Sequence, residues 1–157
     1  IRLEMADSDP RHDQLFSLTW TLAIFIQSIN KESKFFTFNS VYGHHGILNK
    51  DNTKRPLYHL NNFLISLTNS EIFKFNPVNE VYGLKIVLND KKYYLFVNSS
   101  KQKKEIIIPE INFSNQYKLN LNNYTDIFNN DFSFFNFKYD TSPYTFEPLE
   151  IKFIEDK

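Results

Sequence analysis

The fold of this 157-residue chain is decided by residues 35–67, which read FFTFNSVYGHHGILNKDNTKRPLYHLNNFLISL. Phe35–Phe38 is a short, continuously apolar run, which is typical of a strand buried on both faces. A polar segment, Asn39–Thr53, follows it and holds two of the three glycines of the chain. Pro56 suits the first turn of a helix, and leucines then recur at helical spacing together with Phe63. We therefore predict a buried strand, a polar loop and an amphipathic helix, in that order.

A second helix is predicted upstream of this unit, over residues 12–29. Apolar side chains recur there at helical spacing but on more than one face, which is typical of a helix covered by its neighbours. The preceding residues 7–13, DSDPRHD, form a predicted loop. We expect Asp9 or Asp13 to accept N–H groups at the start of this helix.

The sequence pattern changes from helical to strand-like near residues 70–76. Short strands at regular spacing, separated by turn signals such as Asn89-Asp90, are typical of a small antiparallel β-sandwich. The predicted strands are Tyr82–Leu88, Lys92–Val97, Glu105–Ile108, Tyr117–Leu121, Ser133–Tyr139 and Leu149–Ile154. We therefore divide the chain into an α/β part, residues 1–70, and an all-β part, residues 71–157.

Composition excludes several classes of function. The 18 acidic and 18 basic residues give a formal net charge of zero, which argues against a nucleic-acid or anionic-membrane partner. The chain has no cysteine, so disulfides, thiol nucleophiles and Cys-based zinc sites are excluded. The longest apolar run is too short to span a bilayer. With three glycines the chain can hardly build a phosphate-cradling loop, and we predict no cofactor.

The polar loop supplies the candidate site residues, which are Asn39, Tyr42, His44 and His45. We expect His44 or His45 to hydrogen-bond a substrate hydroxyl or carboxylate, or to carry a proton. The alternative is that the two histidines cap the backbone of the loop. A shared metal is disfavoured, because neighbouring side chains on an extended loop point in different directions. Asn39 lies at the predicted strand end, and the alternative there is a bond to the local backbone.

The residues alone do not establish an enzyme. No pair of carboxylates stands out as an acid/base couple of the kind that glycosidases require. Ser17 and Ser40 lack the strand–turn–helix context of a nucleophilic serine.

The run DPRHDQLFSLTWTLAIFIQSINKESKFFTFNSVYGHHGI, followed by RPLYHLNNFL, resembles the carboxyl-terminal part of bacterial D-apionate lactonases. More broadly, it is similar to the barrel ends of retaining, clan-A-type glycoside hydrolases. Asp9–Arg11 matches the DPR element of this pattern, Gly43 and Gly46 match its loop glycines, and Pro56–His59 matches its helix opening. Where the lactonase pattern carries a glutamate before the loop, this chain has Ser40.

This resemblance implies a fold and a function. Residues 1–70 would be the carboxyl-terminal β/α units of a (β/α)₈ barrel, and residues 71–157 a small antiparallel β-sandwich. The chain would be the carboxyl-terminal portion of a carbohydrate-active hydrolase, either a glycosidase or a sugar-lactone hydrolase. Its main catalytic acids would lie on a missing N-terminal part. The four candidate site residues would orient sugar hydroxyls, and Tyr42 would stack on a sugar ring.

The expected partners are a carbohydrate or sugar-acid ligand and an N-terminal barrel segment or partner subunit. The sequence opens IRLEMADSD, without an initiator Met, which fits that expectation. One alternative is a non-catalytic carbohydrate-binding or subunit-interface module. Another is an unrelated small α+β domain.

Overall fold

The computed structural model describes residues 10–29, 40–43, 45–107, 113–125, 138–139 and 144–156. The predicted strand Phe35–Phe38 and the candidate site residues Asn39 and His44 lie outside the described residues, as does most of the predicted strand Ser133–Tyr139.

Both predicted helices are confirmed. Helix α1 is Leu15–Ser28 and follows a 3₁₀ turn, Pro10–Asp13, so the α-helix begins three residues later than predicted. Helix α2 is Pro56–Ser66, with Pro56 in its first turn as expected. Neither helix in the described residues is long and apolar enough to cross a membrane.

The polar loop between the helices is more regular than predicted. Ser40–Tyr42 forms strand β1, and Gly46–Leu48 forms strand β2, which pairs parallel to it. The prediction of irregular structure is therefore wrong at these six residues. Two glycines make the pairing feasible: Gly43 has a φ of +97°, and a Cβ at Gly46 would meet the backbone of Tyr42 at 2.5 Å.

The remaining strands form one six-stranded sheet and a two-stranded ribbon. The sheet has the order β3-β4-β5-β10-β7-β8, and every neighbouring pair in it is antiparallel. Strands β6 and β9 pair with each other in the ribbon. The strands are β3 Glu71–Lys74, β4 Val81–Leu88, β5 Lys91–Asn98, β6 Lys104–Glu105, β7 Phe113–Leu119, β8 Lys138–Tyr139, β9 Thr145–Phe146 and β10 Ile151–Asp156.

The long strands are confirmed within a few residues, whereas the short ones differ from the prediction. Strands β3 and β9 were not predicted. Strand β6 ends at Glu105, and one further hydrogen bond, from the Ile106 N–H to the Tyr144 carbonyl, follows it in the same register. The predicted strand Glu105–Ile108 is therefore wrong at Ile106 and Ile107, which lie outside β6, and Ile108 lies outside the described residues.

One face of the sheet is covered by the two helices. Strand registers place Leu84 opposite Leu95 and Val97 opposite Ile151 on this face. The helices and the sheet share one apolar core, which includes Leu15, Leu18, Leu22, Ile26, Leu57, Leu60, Leu84, Ile86, Leu95, Val97, Leu119, Ile151 and Phe153. The division of the chain after residue 70 stays a prediction.

The opposite face carries a second apolar cluster, in which the ribbon covers the sheet. Phe146 of β9 is fully buried, and its ring centroid lies 6.1 Å from that of Phe96 in β5. Ile106, Tyr94 and Ile154 complete the contact. The described residues thus form a mostly antiparallel sheet and no closed barrel, and the second layer that they show is two strands wide.

An ion pair is buried between these layers. Lys152 Nζ lies 3.6 Å from Glu150 Oε1, and both side chains are 1% exposed. The ammonium also lies 5.0 Å from the ring centroid of Phe146, and Asn120 Nδ2 donates to Glu150 Oε2 at 2.9 Å. Each buried charge therefore has a partner, which offsets the cost of removing it from water.

The Lys152→Ala substitution is expected to lower the free energy of unfolding by about 3–5 kcal/mol, because it leaves the Glu150 carboxylate buried without its cation. Urea denaturation measures the change. Lys101→Ala is the control: this lysine is exposed, and its loss should change stability by less than about 0.5 kcal/mol. Equal costs for the two substitutions would contradict the buried pair.

Candidate functional site

An open cleft of about 410 Å³ lies between the loop that carries β1 and β2 and the start of α2. It is lined by Gly43, Asn49, Lys50, Asp51 and Arg55. Four of these residues have polar or charged side chains and the fifth is glycine. The cleft follows the predicted buried strand along the chain, where α/β barrels place their binding groups.

A tight turn positions the polar side chains of the cleft. The Asn49 N–H donates to the Thr53 carbonyl at 2.9 Å, and the Asn52 N–H donates to the Asn49 carbonyl at 3.0 Å. Asn49 Nδ2 also donates to Thr53 Oγ1 at 2.8 Å. Asn52 adopts a φ of +66°, which asparagine tolerates better than most residues. Lys50 and Asp51 are thereby held at the tip of a closed turn.

Thr53 holds the carboxylate of Asp51 in its charged form. The Thr53 hydroxyl donates to Asp51 Oδ1 at 2.7 Å, and the Thr53 N–H donates to the same oxygen at 3.0 Å. These two hydrogen bonds, the hydroxyl one foremost, lower the pKa of Asp51 below its ordinary value of 3.8. Asp51 is therefore an anion at neutral pH and suits the binding of hydroxyl groups better than proton transfer.

Arg55 joins the cleft to the segment before α1. Its residue exposure is 8%, and its Nε donates to Asn49 Oδ1 at 2.7 Å and lies 3.4 Å from Asp13 Oδ1. Arg55 immediately precedes Pro56, where the positive end of the helix dipole disfavours a cation. The Asp13 carboxylate offsets this unfavourable interaction between Arg55 and the helix dipole.

Of the two residues expected to accept N–H groups at the start of α1, Asp9 lies outside the described residues and Asp13 does not occupy the capping position. The residue at that position is Gln14, and its side chain makes no capping hydrogen bond. Asp13 pairs with Arg55 instead, because the 3₁₀ turn carries it away from the first N–H groups of α1 and towards α2.

Two histidines meet beside this ion pair. The ring of His12 in the 3₁₀ turn and the ring of His45 in the loop have centroids 5.6 Å apart, with an edge-to-face angle of 70°. His45 is exposed, and His12 is half-buried. In the part of the chain that the structure describes, no three His, Asp or Glu side chains come together to hold a metal ion.

The structure places two of the four predicted site residues at the margin of the cleft. Tyr42 is 57% exposed, and its hydroxyl donates to Asn52 Oδ1. Neither Tyr42 nor His45 lines the cleft itself. Asn39 and His44 lie outside the described residues. The roles assigned to all four residues stay predictions.

Four lining residues were missed as site candidates, namely Asn49, Lys50, Asp51 and Arg55. The run Asn49–Asn52 was correctly interpreted as a turn, but a turn signal does not reveal a cavity. Arg55 did carry a signal in the sequence: an arginine directly before a helix-starting proline needs a nearby anion.

Residues 1–69 match the family model described as D-apionate lactonase, TIM barrel domain. The match covers α1, the cleft and α2, and it ends before the first strand of the sheet. It supports the lactonase part of the resemblance, whereas the likeness to clan-A glycoside hydrolases stays a prediction. No curated protein matches the chain at a significant level.

The turn at Asp51 is expected to loosen in acid. A lowered pKa in the folded state means that the carboxylate contributes stability above pH 3.8, and that this contribution is lost as the pH falls through the lowered value. An NMR pH titration should therefore show the Thr53 amide signal moving in that acidic range. Asp51→Asn should abolish the transition, and Asp90→Asn, in the turn after β4, should leave it unchanged. Persistence of the transition in Asp51→Asn would contradict the assignment.

Arg55→Ala is expected to cost about 1–3 kcal/mol of unfolding free energy, because it leaves Asn49 and Asp13 without their shared donor. Asp13→Asn should cost less than about 1 kcal/mol, since the Asp13 side chain is 55% exposed. Urea denaturation of both single variants and the double variant gives the coupling between them. Strict additivity would show that the two side chains do not interact.

Proposed function

We propose that this chain is the carboxyl-terminal portion of a carbohydrate-active hydrolase that opens a sugar lactone, with its main catalytic acids on earlier strands of a barrel. One observation carries the proposal: the cleft, with its four polar or charged residues, lies within the residues that match the lactonase barrel domain. Its volume of about 410 Å³ suits a small sugar-derived ligand, since ligand pockets commonly measure about 300–1,000 Å³.

The size of the matched segment supports the involvement of further barrel strands. A (β/α)₈ barrel takes about 250 residues and eight parallel strands, each followed by a helix. The matched segment holds two α-helices among its described residues. Its exposed apolar side chains Trp20, at 55%, and Val41, at 59%, suit contact with such strands or their helices. We propose that an N-terminal barrel segment or a partner subunit supplies them.

The charges of the cleft suit lactone chemistry. Hydrolysis requires water to attack the lactone carbonyl carbon, and negative charge then develops on the carbonyl oxygen. Lys50 and Arg55 are the cleft cations available to stabilise that oxygen. Asn49 and Asp51 offer hydrogen-bonding groups to the sugar hydroxyls. In this proposal the general base is one of the acids on the earlier strands.

In this proposal, the four site residues predicted from the sequence also contact the sugar ligand. Asn39, Tyr42, His44 and His45 orient sugar hydroxyls, with Tyr42 against the sugar ring and His45 beside the ion pair of Arg55 and Asp13. Residues 71–157 act as a β-sandwich accessory domain that supports the barrel end through the core shared with α1 and α2.

Glycoside hydrolysis is a weaker candidate for the same cleft. A glycosidase needs two carboxyl groups that flank the scissile bond, whereas Asp51 is the one carboxylate among the described lining residues. The same scarcity of acids favours a second candidate function, a non-catalytic carbohydrate-binding or subunit-interface module.

A lactonase assay with variants separates these functions. The assembly that contains this chain together with its barrel is offered aldonolactones and nitrophenyl glycosides. Acid release from the lactones is followed with a pH indicator, and nitrophenol release from the glycosides is followed by absorbance. We expect the rate of lactone turnover to fall at least tenfold in Arg55→Gln, because the variant loses a positive charge that stabilises the carbonyl oxygen. The rate should be unchanged in Lys101→Gln. Turnover of aryl glycosides alone would favour the glycosidase. Absence of turnover, or turnover indifferent to Arg55, would favour the non-catalytic module.

A further inference from the structure

The charges of the cleft differ in how far the protein neutralises them. Arg55 is shared between Asn49 and Asp13, and the Asp51 carboxylate accepts two hydrogen bonds from Thr53. Lys50 is exposed, and within the described ranges its ammonium has no ion-pair partner. The cleft therefore presents a cation that no described acid of the protein satisfies.

Two exposed or partly exposed lysines elsewhere in the described chain do have acidic partners. Lys103 Nζ lies 3.2 Å from Glu147 Oε1, and Lys104 Nζ lies 2.9 Å from Glu80 Oε2. These two pairs lie on the ribbon side of the sheet. Both lysines belong to the lysine-rich segment 101–104. Lys50 differs from these two in lining a cavity and in having no ion-pair partner among the described residues.

The unpaired cation of the cleft points to an anionic ligand. Arg55 is paired with Asp13, and the Asp51 carboxylate is held by Thr53, so Lys50 is the lining charge without an ion-pair partner among the described residues. A ligand carboxylate beside Lys50 would gain charge-assisted hydrogen bonds. The amide of Asn49 and the carboxylate of Asp51 suit the hydroxyl groups of the same ligand. A small polyhydroxy acid combines these features.

We infer that the cleft binds the open-chain sugar acid more tightly than the neutral lactone, so that the product of the reaction is retained and inhibits turnover. This inference rests on the proposed function. Hydrolysis adds one water across the ester bond of the lactone, which gives a carboxylic acid and a hydroxyl group. The acid releases its proton at neutral pH, so the product carries one negative charge that the lactone lacks. Lys50 distinguishes the two species through that charge.

An NMR titration of the ¹⁵N-labelled 157-residue chain tests the ligand class. The probes are sodium D-gluconate, D-glucitol, which lacks the carboxylate, and sodium acetate, which lacks the hydroxyls. We expect gluconate to shift the amide signals of residues 49–55 saturably, with an affinity at least tenfold above those of glucitol and acetate. Lys50→Gln should weaken gluconate binding at least fivefold, and Lys101→Gln should leave it unchanged.

Each other outcome overturns the inference in a recognisable way. Equal binding of glucitol removes the role of the carboxylate, and equal binding of acetate reduces the cleft to a general anion site. Absence of gluconate binding, or binding indifferent to Lys50→Gln, removes the site itself.

A second measurement separates this inference from the proposed function. Lactone turnover by the assembly is followed with and without added sugar acid. If added sugar acid does not inhibit lactone turnover, product retention is refuted, whereas the proposed lactonase function is retained. Saturable gluconate binding at residues 49–55 without any lactone turnover refutes the lactonase and leaves a sugar-acid-binding site.

Discussion

The apolar contact between the two helices and the central strands is the interaction on which the rest of the structure depends. Leu15, Leu18 and Leu22 of α1 and Leu60 of α2 are at most 1% exposed, and they share a cluster with Leu95 of the sheet. Each buried leucine of this kind contributes about 1.5–3 kcal/mol. Without the sheet, both helices would leave these faces in water.

This contact also fixes the position of the cleft. Leu57 and Leu60 anchor the first turns of α2 in the core, and Arg55 immediately precedes them. Because the 3₁₀ turn is continuous with α1, the Asp13–Arg55 pair links the starts of the two helices. The end of the loop next to α2 is thus linked to the start of α1, and its turn at Asn49–Thr53 is closed by local hydrogen bonds. The cleft lies beside this closed turn and is open to solvent.

The sequence predicted the elements whose signal is local. Helix α2 carries apolar residues at helical spacing, strands β4 and β5 are apolar runs next to a turn signal, and each of the three is confirmed. The short elements were missed or misplaced because distant partners create them. Strand β9 exists because Phe146 packs on Phe96 and its backbone pairs with Lys104, forty-two residues away. No pattern within two residues reveals such a contact.

The candidate site shows the same division. The site prediction named His44 and His45 in the polar segment before α2, whereas the described cleft is lined by other residues of that segment and by Arg55. The lining role of Arg55 depends on Asp13, which lies far away along the chain, and the role of Lys50 depends on the cavity that the closed turn creates. Charge balance around a cavity is a property of the folded chain, and residue types alone do not display it.

Native-state hydrogen exchange tests most directly whether the helices and the sheet form one core. The amides of Leu22 in α1 and Leu95 in β5 are compared at increasing, sub-denaturing urea concentrations. The shared core predicts that both exchange through the same global opening, with equal free energies and equal dependence on urea. If the α1 amides instead open with a free energy several kcal/mol below that of the β5 amides, the helices unfold separately and the shared core is contradicted.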